Sequence, residues 1–303
     1  MIVFFYLVMC FIFGTTFLFI KMGLGTGWSP FLFSSLRFIL AGWIIIGFLQ
    51  LFSKKVALTP SIHSQIARLS FFMTTVPFAA LYWSEQYISS GEAAVIVATS
   101  PLFILVINHF TKQERINSLR FIGSLISLGG IGLLFFNEIS IDSNSESAIA
   151  KFVLLLAEWA FAYGSIQSKK VLIELKNPFI LNGYQMLYGG SFLMVISQIF
   201  NEDYSLPAEF NGWLILIYFI LFASILSSGI FYWLIKHTSV YFSTTWTYVS
   251  PLIALLLGSV FLKEDIGHFG LLGAVLILGG ILLTNTELFK RKQDFKEGRK
   301  LDG

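Results

Sequence analysis

Long apolar runs alternate with short polar connections along the whole chain. Ten such runs stand out: Ile2–Met22, Pro30–Phe52, Ile66–Tyr87, Ala93–Thr111, Ser118–Phe136, Ile149–Gln167, Pro178–Phe200, Trp213–Ile235, Val240–Leu262 and Phe269–Thr286. Each comes close to the roughly 20 residues that an α-helix needs to cross the hydrocarbon core of a bilayer. Lipid offers the backbone no hydrogen-bond partners, so these runs predict helices. Alternating segments of about ten residues, the mark of a membrane β-barrel, are missing. The connections hold Gly, Pro, Ser, Asn and most charges, and none is long enough for a soluble domain. The first run follows Met1 without a basic start or a small-residue cleavage site, which predicts a retained span and not a signal peptide. The expected fold is an all-α polytopic membrane protein with ten transmembrane helices.

Composition sharpens this picture. Of 303 residues, 56% are hydrophobic, 33 are Phe and only 12% are charged, against about 25% charged in soluble domains. A soluble enzyme, a disordered chain, a coiled coil and a nucleic-acid binder are excluded on that ground. The single Cys10 rules out a disulfide framework or a cysteine zinc site. The net charge of +3 matters less than where the charges fall. With the N-terminus inside, the inner connections collect Lys54, Lys55, Arg68, Lys112, Arg115, Arg120, Lys169, Lys170, Lys176 and Lys236, and the tail adds Lys290, Arg291, Lys292, Lys296, Arg299 and Lys300. The outer set has only Lys151 and Lys263, with Lys21 near the boundary, and carries Glu138, Asp142, Glu146, Glu202, Asp203 and Glu209. This bias predicts an even number of spans and both termini in the cytoplasm. The short loops point to a bacterial inner membrane. The basic tail suits anionic lipid head groups, with a regulatory role as the alternative.

The chain also resembles itself at an offset of 150 residues. Phe13-Gly14-Thr15 falls on Tyr163-Gly164-Ser165, Tyr82-Trp83 on Tyr232-Trp233, and Ser100-Pro101-Leu102 on Ser250-Pro251-Leu252. Glu114 falls on Glu264, Gly123 on Gly273, and Leu128-Gly129-Gly130-Ile131 on Leu278-Gly279-Gly280-Ile281. A duplicated five-helix unit follows, with repeats over 1–137 and 148–287, an extracytoplasmic linker over 138–147 and a cytoplasmic tail over 288–303. Five is odd, so the copies are expected upside down relative to each other, as in transporters built from inverted repeats. Pro77, Pro101 and Pro251 each interrupt a span, as fixed bends or as hinges for a change of access.

This arrangement resembles the drug/metabolite transporter superfamily, and within it the EamA family, from Phe4 to about Leu288. The resemblance is carried by Phe13-Gly14-Thr15-Thr16-Phe17, Arg37-Phe38, Ala98-Thr99-Ser100-Pro101-Leu102, Glu114 and Gly123 with Gly129-Gly130. Members often have Trp-Gly where this chain has Phe13-Gly14. The resemblance implies a ten-helix carrier, in many cases an exporter of amino acids or other metabolites. It also implies a central cavity lined by the first, third, fourth, sixth, eighth and ninth spans.

An ionisable group inside a bilayer is costly and therefore a candidate for function. Glu158 lies mid-span in Leu156-Ala157-Glu158-Trp159-Ala160 with no charge within six residues. It could carry a proton, meet a cationic group of a solute, or sit neutral and hydrogen-bonded to a neighbouring helix. Tyr163 and Gln167, four residues apart, form an adjacent polar stripe, and Trp159 borders it. Arg37 cannot lose its proton and needs an anion, with Glu158 and Glu85 as protein candidates, unless it snorkels to the outer interface. Tyr82, Glu85 and Gln86 share a helix face, and their neighbourhood also fits an interfacial aromatic belt. Trp246 and Tyr248 lie deep in the ninth span, as cavity wall or ordinary core. Gly14, Gly164, Gly129-Gly130 and Gly279-Gly280 suit close helix packing, and Glu114 and Glu264 suit helix starts.

No HExxH, Gly-x-Ser-x-Gly or Walker A pattern occurs, and the four histidines are scattered. Neither an enzyme, a cofactor nor a metal is expected. The expected partners are a small-molecule substrate, the lipid bilayer and protons, and no nucleic acid. The sequence predicts a secondary active or facilitative carrier working by alternating access. The competing readings are a membrane-embedded lipid-handling protein and a non-transporting sensor with the same fold.

Overall fold

The computed structural model describes residues 1–52, 58–111, 118–134, 145–253, 269 and 271–284. Among these residues the regular structure is entirely helical. Six helical stretches are long and apolar enough to cross a bilayer: Ile2–Gly25, Pro30–Leu51, Ser90–Phe110, Ser145–Leu175, Pro178–Ile199 and Phe210–His237. Shorter apolar helices accompany them. Glu114, Glu264, most of the linker 138–147 and the tail lie outside the described residues.

Several stretches are interrupted. The first consists of α1 (Ile2–Gly14) and α2 (Thr16–Gly25), joined at Thr15. α3 (Pro30–Phe52) is continuous. Its N-terminus is capped from far away in the chain: Phe31 and Leu32 donate backbone N–H groups to the Glu202 carboxylate at 2.9 and 2.8 Å. α4 (Pro60–Ser70) passes through a π-helical stretch, Phe71–Thr75, into α5 (Val76–Ser84). Pro77 follows directly on the π-helical stretch, inside this continuous helical run. α6 (Ser90–Val97) opens on a capping box made by Ser89 and Glu92, and α7 (Ser100–Phe110) follows after a break at Ala98-Thr99. Pro101 therefore starts a new helix and does not kink a continuous one.

After α8 (Ser118–Leu134), α9 (Ser145–Leu175) runs for 31 residues, well beyond the span read from hydrophobicity alone. It stops where Lys176 adopts the left-handed φ of 59°. Asn177 then caps α10 (Pro178–Ile199) by accepting the Phe179 N–H at 2.9 Å. α11 (Phe210–Tyr218) continues through a second π-helical stretch, Phe219–Ser227, into α12 (Ser228–His237). α13 (Val240–Thr244) breaks at Thr245, and the chain is helical again over 246–253, which includes Pro251. α14 (Leu271–Thr284) is the last described helix.

Glycines stand at several close helix crossings. A Cβ on Gly42 of α3 would lie 2.8 Å from the Leu187 nitrogen of α10, and one on Gly190 of α10 would lie 2.8 Å from the Ile39 nitrogen of α3. Gly190 stands 148 residues after Gly42, and Leu187 stands 148 after Ile39. α8 and α14 meet in the same way. Cβ atoms on Gly123 and Gly130 would each come within 2.7 Å of a carbonyl, that of Gly280 and that of Gly273. An offset of 150 interchanges these two contacts. Gly14 abuts Ser250 and Ile253, and Gly164 abuts Met73. Small residues allow such approaches and replace the hydrophobic drive that is absent between helices in lipid.

Candidate functional site: a cavity among the spans

A cavity of about 80 Å³ lies among the helices. Its apolar wall is mostly aromatic, with Phe13, Phe17, Phe38, Phe78, Phe231 and Trp246. Its polar groups are Thr16, Arg37, Thr74, Glu158, Gln185, Ser228 and Tyr232. The resemblance implied six lining spans. The structure adds two, because α3 contributes Arg37 and Phe38 and α10 contributes Gln185 and Met186. α3 and α10, which cross tightly at their glycines, both reach the cavity wall.

Arg37 is 1% exposed, so its guanidinium does not snorkel. Its Nε donates to Ser224 Oγ at 2.9 Å and its Nη1 to Tyr82 Oη at 3.0 Å. The rings of Phe219, Phe38 and Phe78 lie 4.5, 4.7 and 5.2 Å from its central carbon. Each such ring contact contributes about 0.5–2 kcal/mol when desolvated. Among the described residues no carboxylate pairs with Arg37. Neither Glu158 nor Glu85 takes that place. The cation is thus held by neutral oxygens and π faces.

Glu158 is 3% exposed and also faces the cavity. Its Oε2 is hydrogen-bonded to Ser100 Oγ at the start of α7. Ser100 Oγ also lies 2.6 Å from the Val97 carbonyl oxygen. That carbonyl would have served residue 101, which is Pro and has no N–H. Ser250 stands in the same relation to Thr247, the carbonyl four residues before Pro251, at 3.4 Å.

The two π-helical stretches supply matching supports. Arg37 on α3 binds Ser224 of the second stretch, and Gln185 on α10 donates its side-chain N–H to Thr74 of the first. Gln185 stands 148 residues after Arg37, and Ser224 stands 150 after Thr74. Gln185 thus makes, with a neutral side chain, a contact spaced like that of the buried cation. A uniform shift of 150 sets Leu187 against Arg37 and hides this pair. Widened π turns often occur at functional sites, and here they carry polar side chains to the cavity region.

The other residues singled out in the sequence divide by helix face. Trp246 lines the cavity, packs 4.5 Å from Phe13 between ring centroids, and has a buried Nε1 without a partner among the described residues. Tyr82 is fully buried beside Arg37, and Tyr232 is buried at the cavity and donates to Met73 Sδ at 3.2 Å. Their neighbours Trp83 and Trp233 are only half-buried. Pro77 lines the cavity, while Pro101, Pro251 and Tyr248 are buried outside the lining. Trp159 stacks on Phe103 and Tyr163 packs edge-on to Phe72, both more than a third exposed on the outside of the bundle. Gln167 is half-buried on α9 and does not reach the cavity. α9 turns about 100° per residue, so these positions diverge from Glu158. Glu85 is fully buried at the end of α5, and neither carboxylate oxygen has a hydrogen-bond partner among the described residues. Lys21 reaches the backbone oxygens of Glu85 and Ile88. No group of three or more metal-ligating side chains occurs among the described residues.

The model of the EamA-like transporter family matches residues 1–136 and 148–286. The chain is 29% identical over 275 residues to the inner membrane transporter YedA of Escherichia coli (strain K12), covering 90% of this chain and 86% of that protein. It is 26% identical over 288 residues to the transporter YoaV of Bacillus subtilis (strain 168), covering 93% and 95%. Both relatives are described as uncharacterized. A crystal structure superposes with a TM-score of 0.75 over 96% of this chain and 97% of that one, at 16% identity, a likeness of fold alone.

Proposed function

The chain belongs to the EamA-like transporter family, and on that premise we propose that it is a secondary carrier for small organic solutes bearing a carboxylate and an amine, amino acids first among them. The observation that carries this reading is one cavity with two buried ionisable groups, Arg37 and Glu158. Among the described residues Arg37 has no carboxylate partner, and in this reading a substrate carboxylate supplies the anion. Glu158 takes the amine or, between substrates, a proton. The ring-lined wall accepts the apolar part of the solute.

In this reading the carrier has ten helices in two inverted repeats, rocks about the cavity and opens to each side in turn. The paired contacts of α3 with α10 and of α8 with α14, which interchange at offsets of 148 and 150, support it. So do the Arg37–Ser224 and Gln185–Thr74 pairs. The distribution of Lys and Arg supports cytoplasmic termini. Export is the direction that the family resemblance supplies.

Flux of labelled amino acids into and out of proteoliposomes, with and without a pH gradient, tests the proposal. The wild type is expected to exceed protein-free vesicles, and Arg37→Gln is expected to abolish flux of the carboxylate-bearing solute. Glu158→Gln is expected to remove any response to the pH gradient. If Arg37→Gln and wild type move the same solutes at the same rates, the assignment of the carboxylate site is wrong.

A further inference from the structure

We infer that Ser100 is a positioning residue that ties the protonation state of Glu158 to the helix break between α6 and α7. The inference builds on the role of Glu158 given above and adds the way its proton is felt by the fold. Ser100 Oγ lies within hydrogen-bonding distance of two acceptors, the Val97 carbonyl oxygen and Glu158 Oε2. A serine hydroxyl has one hydrogen to donate. When Glu158 is neutral, its O–H donates to Ser100 Oγ, and Ser100 donates to Val97. The Val97 carbonyl, the Ser100 hydroxyl and the Glu158 O–H are then all paired. When Glu158 is ionised it can only accept. It then draws the Ser100 hydrogen, and the Val97 carbonyl loses its donor. Pro101 cannot replace that donor, and a buried unpaired carbonyl is costly.

The break is built to respond. Ala98 and Thr99 leave the regular helix between α6 and α7. Neutral Glu158 holds the break closed, and ionised Glu158 loosens it. The only bond made or broken is the O–H of Glu158, whose proton is exchanged with water. Ser250 fills the corresponding carbonyl, Thr247, but touches no carboxylate among the described residues. The second repeat thus has the serine plug without the acid. The other charged or titratable groups on the cavity wall are Arg37 from α3 and Tyr232 from α12. α1, α2, α5, α6, α10, the π-helical stretch 71–75 and helix 246–253 bring no ionisable side chain to that wall.

The test uses the full chain in lipid nanodiscs, with Cys10→Ala and spin labels at Ser90→Cys and His109→Cys on either side of the break. Glu158 protonation is followed by the infrared carboxyl band that Glu158→Gln removes. The label-to-label distance is expected to change with pH and to share its midpoint with that band. Glu158→Gln is expected to fix the distance at its low-pH value. Ser100→Ala is expected to leave a titrating Glu158 whose band changes without any change in distance. Ser100→Thr is expected to restore the coupling, and Ser250→Ala to leave it intact. A pH-linked distance change that survives in Ser100→Ala or Glu158→Gln overturns the inference. So does a wild type in which Glu158 titrates at constant distance, or does not titrate. None of these readouts needs a solute, so failure of the transport assay counts against the proposed function and leaves this result standing.

Discussion

Gly42→Ala isolates the contact between α3 and α10. The added Cβ would lie 2.8 Å from the Leu187 nitrogen and 2.9 Å from the Gly183 oxygen. Both are backbone atoms, so a whole helix must move and no side chain can swing aside. Overpacking of this kind costs about 1–3 kcal/mol. Replacing Gly by Ala inside a helix also gains about 0.5–1 kcal/mol of propensity, which would blur the result. Gly47→Ala, five residues along the same helix, removes that ambiguity because a Cβ there meets nothing within 4 Å. The propensity gain cancels between the two variants. Gly42→Ala should therefore be less stable than Gly47→Ala by about 1–3 kcal/mol, roughly 5- to 160-fold in the folding equilibrium. Gly190→Ala meets Ile39 at 2.8 Å and should behave like Gly42→Ala. The double variant should lose less than the sum, since one small separation of the helices relieves both clashes. Reversible unfolding in mixed micelles of SDS and a mild detergent measures all four. Equal stabilities of Gly42→Ala and Gly47→Ala would refute the crossing geometry.

Other outcomes follow from the same contacts. Arg37→Gln should change thermal stability in detergent little while weakening binding of a carboxylate-bearing solute tenfold or more, because the desolvation cost of a buried charge offsets what its hydrogen bonds and ring contacts contribute. Calorimetric binding and a melting curve on one preparation separate the two effects. Glu202→Ala removes the carboxylate that caps α3 and should cost about 0.5–2 kcal/mol in unfolding assays. Trp159→Ala and Tyr163→Ala, which alter the outside of the bundle, should leave flux within about twofold of wild type under the usual tolerance of surface positions. Trp246→Ala should lower it markedly, and a proteoliposome assay compares the three. Gln185→Leu removes the hydrogen bond to Thr74 and should change solute preference at constant expression, as read by competition among amino acids of different side chains.

The two classes of residue explain how far sequence reasoning could reach. Arg37 and Glu158 were visible because a charge in an apolar run is conspicuous wherever it points. Gln185 and Thr74 were not, and Ser100 showed only as part of a repeated motif, because polar uncharged residues are ordinary in membrane helices and their partners lie 58 to 111 positions away. Tyr163, Gln167 and Trp159 share the span of Glu158 but face away from the cavity, and overall hydrophobicity cannot separate the faces of a helix that is apolar all round.

The amino-acid sequence by itself determined a helical membrane chain, its family and its internal likeness, since each depends on local composition and on residue order. Burial of Arg37 among rings, the seat of Glu158 on Ser100 and the break between α1 and α2 were decided by tertiary structure. The reason is physical: in lipid every helix satisfies its own backbone, so the hydrophobic pattern specifies that a segment spans but leaves its rotation open. That rotation is set by where glycines let neighbouring helices touch and by which polar side chains then find one another.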